Sequence, residues 1–151
     1  MKPLTYSGVE MPIYQGVYGN THVVAADWSI DIEVAGRRAR ITVRKGFIFD
    51  GASIPRALWR LCGHPMEVPR VAAALAHDWL YAAHVTDRET ADKIFREVCR
   101  MVGVAWVRHT VEYCTLRACG GAAWYSHGPD DVTFARSHGA LEWLETKNTS
   151  I

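Results

Sequence analysis

The chain has 151 residues, of which 49% are hydrophobic and 22% charged, with a formal net charge of +1. A chain of this length buries roughly two-thirds of its unfolded surface in one core, so it needs no disulfide or zinc staple, and its apolar content excludes a disordered chain. The near-neutral balance argues against a nucleic-acid partner, which calls for a strongly basic face.

No apolar run reaches the length of about 18 residues that a membrane span requires. The start, Met1-Lys2-Pro3-Leu4-Thr5-Tyr6, has no apolar core region, so a standard signal peptide is not expected. Cys62, Cys99, Cys114 and Cys119 form no Cys-x-x-Cys pair and read as buried, reduced thiols of a protein made in the cytosol.

In chain order, residues 22–26 (His22-Val23-Val24-Ala25-Ala26) predict a first strand. Over 28–34 the alternation is strict. Trp28, Ile30, Ile32 and Val34 point one way and Ser29, Asp31 and Glu33 the other, the period of a half-buried strand. Ala35-Gly36-Arg37 supplies a turn. Ala39, Ile41 and Val43 then alternate with Arg38, Arg40, Thr42 and Arg44, which completes a hairpin of a small antiparallel sheet. With Lys45, these arginines form a basic stripe. It is either a contact surface for phosphate or lipid headgroups, or the solvated face of a sheet whose other side is core.

From residue 46 the style changes. Gly46-Phe47-Ile48-Phe49-Asp50-Gly51-Ala52-Ser53-Ile54-Pro55-Arg56 is a shaped loop that runs into a short helix at 56–61. Pro69 suits a first helical turn and opens a helix of about 70–84. Thr86-Asp87-Arg88-Glu89 matches the Thr-x-x-Glu capping box and starts a helix of about 87–102, ended by Gly103. A third helix covers about 106–119 and stops or kinks at Cys119-Gly120-Gly121; Tyr113, Arg117, Trp124 and Tyr125 are expected to cover one side of a cleft. A last helix is expected over 131–146, with Leu141, Trp143 and Leu144 packing on the domain or on a partner chain. The expected fold class is α+β in a single domain over 1–151. A small antiparallel sheet fills a β-rich stretch over 1–48. A mainly helical stretch over 49–146 then holds three to four helices with a central antiparallel pair, and 147–151 is a frayed tail.

The chemical signal lies on the central pair. His77-Asp78 sits mid-helix between Ala72-Ala73-Ala74-Leu75-Ala76 and Trp79-Leu80-Tyr81, and a carboxylate in such a run is costly to bury unless paired or metal-bound. His77, Tyr81 and His84 share one helix face, and Asp78 lies about 100° round from His77. With the turn centred near 85–86, Asp92 is offset from His77 by only about 3 Å along the axis, so a hydrogen bond between them is feasible across the seam. An imidazole oriented by one carboxylate can deprotonate water, while a second carboxylate can hold a hard cation. The alternative is a buried His–Asp–Tyr network that pins two helices together. Asp50 and Ser53 either line the same cleft, Asp50 as a further metal- or proton-binding carboxylate, or simply stabilise the loop. Arg56 and Arg88 either hold a carboxylate or phosphate in two-pronged fashion or pair with Asp50 and Asp92.

The string from Gly46-Phe47 through Asp50-Gly51-Ala52-Ser53-Ile54-Pro55-Arg56, His77-Asp78-Trp79-Leu80-Tyr81 and Arg88…Ala91-Asp92…Phe95 resembles a widespread phage and prophage family catalogued as a domain of unknown function. A looser resemblance is to the catalytic helix pair of phospholipase A2 enzymes, whose pattern is His-Asp-x-x-Tyr followed by Ala-Asp-x-x-Phe. It implies His77 as general base, Asp78 as a calcium ligand, and Tyr81 with Asp92 as the hydrogen-bond network behind His77. The remaining calcium ligands of those enzymes are carbonyls of an upstream Gly-rich loop, and only Phe49-Asp50-Gly51-Ala52-Ser53 stands in its place here.

Two functions follow as expectations. One is a phage-encoded ester hydrolase acting on a lipid ester with calcium as cofactor. The other is a non-enzymatic virion or tail-assembly protein that contacts other phage structural proteins. Either would be made in the host cytoplasm, and the second carried into the virion.

Overall fold

Strict alternation builds the hairpin that anchors the sheet region. In a computed structural model, which describes residues 2–51, 56, 59–60 and 63–145, the first two strands, β1 (Thr5–Tyr6) and β2 (Val9–Glu10), pair as a short hairpin. β3 (Tyr14–Tyr18), β4 (Thr21–Val24) and β7 (Ile48–Phe49) form a second antiparallel sheet in the order β3-β4-β7. β5 (Trp28–Val34) and β6 (Arg37–Val43) pair as expected, with Ile30 opposite Ile41 and Trp28 opposite Val43. Their turn is Ala35-Gly36, both at positive φ (51° and 75°), the mirror-image turn that suits strand twist. Trp28, Ile30, Ile32 and Val34 face the core with Ala39, Ile41 and Val43.

The basic stripe on the other face is answered by acids on neighbouring strands. Arg40 holds Asp31 through two bonds of 2.7 and 3.1 Å, and Arg38 stands opposite Glu33.

Helices α1 (Val71–Ala83), α2 (Arg88–Met101), α3 (Trp106–Cys119), α4 (Gly121–Tyr125) and α5 (Pro129–Ser137) follow, so the class is α+β. All 13 residues of α1 are buried. A helix apolar on every side belongs inside, and its alanines let neighbours approach closely. α2 packs along α1, α3 along α2, and α5 crosses back onto α1. The end of α1 is a left-handed residue, His84 at φ 49°; Arg136 of α5 donates to the carbonyls of Ala83 and His84 at 2.8 and 3.1 Å, satisfying orphaned acceptors there. α2 ends as expected at Gly103 (φ 86°), where the N–H of Val104 reaches back to the Cys99 carbonyl. No described helix is long and apolar enough to cross a membrane.

Four expectations change. Among the described residues the expected antiparallel strands divide into three sheets. The cap of α2 is Asp87, whose carboxylate accepts from the Thr90 N–H at 2.9 Å, in place of Thr86. The helix expected over 131–146 stops at Ser137, and β8 (Gly139–Leu144) instead adds to the open edge of β6, Leu141 opposite Ile41. Gly139 makes that approach possible, because a Cβ there would lie 2.5 Å from both the Thr42 carbonyl oxygen and the Trp79 ring. Finally, Cys99 is buried, but Cys114 and Cys119 are exposed. Ser53, Cys62, residues 57, 58 and 61 of the segment expected to be helical at 56–61, and the tail over 147–151 lie outside the described residues.

Candidate functional site

Asp92 is the hub of the site. It enters from the first turns of α2 and is fully buried. Its Oδ1 lies 2.8 Å from His77 Nε2 and accepts from the Tyr81 hydroxyl at 2.6 Å. Its Oδ2 accepts from Arg117 Nη1 at 2.8 Å, and the Arg88 guanidinium stands 3.7 Å away. Arg88 also donates to the carbonyls of Leu116 and Arg117, tying the last turn of α3 to the start of α2.

Burial alone would raise the Asp92 carboxyl, but the bonds from His77, Tyr81 and Arg117 outweigh it and hold the group below its ordinary value. Burial, then the hydrogen bond and charge of Asp92, push the Tyr81 phenol well up, so it stays a protonated donor. Ring contacts complete the packing: the His77 centroid lies 4.0 Å from Tyr81 and 5.2 Å from Phe95. Trp124 stacks on His84 at 4.0 Å and meets Tyr81 edge-on at 5.2 Å. The side chains of α1 thus divide by one residue: His77 turns to the α2 seam and Asp78 turns to the loop after β7.

Asp78 is 8% exposed and lines a cleft of about 570 Å³. Its Oδ2 accepts the Gly51 N–H at 2.6 Å, which fastens the loop after β7 to α1. Gly51 has φ 72°, and a Cβ there would meet Pro65 at 2.6 Å, so the position requires glycine. Asp50 joins Asp78 on the cleft wall, with Phe47 and Phe49 beside them and His127 and Asp131 contributed by the segment from α4 to α5.

The structure therefore brings together His77, Asp92, Tyr81 and Arg88 as one network, and Asp78 with Asp50 along the adjoining cleft. Arg56 does not join them; it is exposed, its guanidinium 5.4 Å from the Trp59 ring centroid. Nor does Tyr113, which lines a different groove. Ser53 lies outside the described residues.

Three contributors were not foreseen in their roles: Arg117 on Asp92, and His127 and Asp131 on the cleft. For Arg117 a signal existed. The α2–α3 turn centres near residues 103–104, so antiparallel packing sets Asp92 level with about residue 115. No comparable spacing points to His127 or Asp131.

Calcium would need several oxygen ligands. Among the described residues no group of three His, Cys, Asp or Glu side chains could hold a metal ion, and one oxygen of Asp78 already takes the Gly51 N–H. The described side chains by themselves supply no such set.

No curated protein and no solved structure matches the chain. Residues 24–116 match the family described as Protein of unknown function (DUF1353). That stretch runs from the end of β4 into the last turn of α3 and contains His77, Asp78, Tyr81, Arg88 and Asp92; on the strength of it, the chain belongs to the DUF1353 family.

Proposed function

We propose that the chain is a hydrolase of phage or prophage origin that cleaves an ester in the manner of a phospholipase A2, with the cleft as its substrate site. The observation that carries this reading is the 2.8 Å contact between His77 Nε2 and Asp92 Oδ1, placed one residue from a carboxylate on the cleft wall. Asp92 accepts the Nε2 proton, which fixes the tautomer and gives the task of proton transfer to Nδ1. Tyr81 and Arg117 hold Asp92 ionised, and Asp92 in turn stabilises the imidazolium formed when the ring takes a proton from water. Asp78 and Asp50 supply the polar wall against which the reacting group is positioned, and the phenylalanines supply an apolar wall for an acyl chain. No step is routed through a cation.

A second reading is favoured by one observation: His77 and Asp92 are both fully buried. In it, the network is a helix clamp in a virion or tail-assembly protein, made in the host cytoplasm, that binds other phage structural proteins.

One experiment separates the two. Wild type and His77→Asn are assayed on phospholipid and simple carboxylic esters, with and without calcium, and melted in parallel. General-base catalysis predicts hydrolysis by wild type that falls about 100-fold or more in the variant, at a temperature where melting shows the variant still folded. No hydrolysis of any ester by wild type, with a large stability loss in His77→Asn, overturns the hydrolase in favour of the clamp.

A further inference from the structure

A groove of about 720 Å³ lies between the outer face of α2, the first turns of α3 and the β5–β6 turn, and it shares no residue with the cleft. Its floor holds His109, only 4% exposed. His109 Nδ1 faces Arg96 Nε at 3.4 Å, and since the guanidinium can only donate, Nδ1 is the acceptor and the ring proton sits on Nε2. Nε2 makes no hydrogen bond to any described residue, so this buried ring brings an unanswered donor to the groove.

Arg96 is the second unusual group. It is half-buried, and its other partners are neutral: Thr110 Oγ1 at 3.0 Å and the face of Tyr113 at 5.3 Å. The acids of α2 are committed elsewhere, Glu89 to Lys93 and Glu97 to Arg100, so no described carboxylate lies within ion-pair distance of Arg96. Burial first, then the charges of Arg96 and Arg100, push the His109 pKa down, with the nearby Glu97 acting against them. The groove's two carboxylates, Glu33 and Glu97, are outnumbered by Lys93, Arg96 and Arg100. Beside these donors stands Trp106, a groove residue left 67% exposed, which offers a flat apolar face.

We propose that this groove binds a small organic anion made of a flat ring bearing a carboxylate or phosphate. The oxyanion takes the free edge of the Arg96 fork and the His109 Nε2 proton, and the ring lies against Trp106. A guanidinium with a planar fork suits such oxyanions, and the His109 Nε2 proton adds a second donor beside it. The proposal is independent of the hydrolytic reading.

The test is calorimetric titration of the full chain with benzoate and with phenyl phosphate, set against benzamide and inorganic phosphate. Saturable binding of at least one ring anion is expected, tighter than either control and weakened by salt. Benzoate alone identifies a carboxylate ligand, and phenyl phosphate alone a phosphate ester. Arg96→Gln and Trp106→Ala should each weaken the binding about tenfold. Trp106 is exposed, so its replacement leaves folding intact and keeps the test valid should Arg96→Gln prove unstable. Absence of saturable binding by both ring anions, equal binding of benzamide or inorganic phosphate, or unchanged binding in Trp106→Ala overturns the proposal.

Discussion

Replacing Asp92 by alanine tests the central claim that one carboxylate organises the junction of α1, α2 and α3. The change strands two donors that have no exposure to water, His77 Nε2 and the Tyr81 hydroxyl. Each buried donor left unmade costs about 1–3 kcal/mol. Arg117 and Arg88 are 32% and 23% exposed and can turn toward solvent, so they add less. The sum agrees with the roughly 3–5 kcal/mol expected when one partner of a buried charge pair is removed. At about 2–4 °C per kcal/mol for a chain of this size, melting should fall by around 10 °C.

The effect must also depend on pH, and the direction follows from the carboxyl. Its pKa in the folded chain lies below the ordinary 3.8, so its contribution is fully present above that value. It is lost as pH falls through the folded value. Urea unfolding of wild type and Asp92→Ala at pH 7 and at steps below pH 4 should show a gap that closes toward acid. A difference under about 1 kcal/mol at pH 7, or a gap that stays constant into strong acid, refutes the reasoning.

Gly120→Ala should destabilise by about 1–3 kcal/mol in a thermal melt despite the better helix propensity of alanine, because its Cβ would lie 2.6 Å from the Tyr81 hydroxyl and 3.2 Å from Arg88 Nη1; a neutral result would mean the three helices are less tightly joined there. Gly51→Ala combines a left-handed backbone (φ 72°) with a 2.6 Å approach to Pro65, so it should cost at least about 1–2 kcal/mol and speed amide exchange in the loop fastened to Asp78; unchanged exchange would sink this account of the loop. Thiol labelling of the native chain, mapped by mass spectrometry, should modify Cys114 and Cys119 quickly and spare Cys99, which is buried and whose thiol burial pushes well up; native labelling of Cys99 would contradict that packing.

How far the sequence carried the fold depended on the range of the deciding contact. The β5–β6 hairpin was legible because alternation and the Ala35-Gly36 turn both act within a few residues. The segment Gly139–Leu144 was not. Its apolar residues at 140, 141, 143 and 144 suit a helical stripe nearly as well as a strand. What decides is the unpaired edge of β6, about a hundred residues back, together with the room Gly139 leaves for Trp79 and the Thr42 carbonyl. Open backbone groups at a sheet edge outweigh the weak helical preference of a short segment. The α2 cap followed the same logic at short range. Thr86 fits the Thr-x-x-Glu pattern, but the Asp87 carboxylate took the place because it reaches the N–H and the hydroxyl of Thr90 together.

The site divides along the same line. His77 and Asp92 could be matched because a tight helix hairpin converts sequence distance from the turn into height along the axis, and the same conversion places Arg117 within reach of Asp92. The cleft wall opposite Asp78 obeys no such rule. His127 and Asp131 arrive there because α4 turns off α3 at Gly120, where only a glycine lets the chain pass Tyr81 and Arg88. A buried polar network and an open cleft thus meet on one helix, separated by the angle between residues 77 and 78. The first side is closed by hydrogen bonds that stabilise the fold whatever the chain does. On the second side Asp78 accepts the Gly51 N–H, which fastens the loop after β7 to α1, and lines the cleft with Asp50. Both readings share that fastening of the loop by Asp78, and they diverge only over whether the cleft beside it receives a substrate.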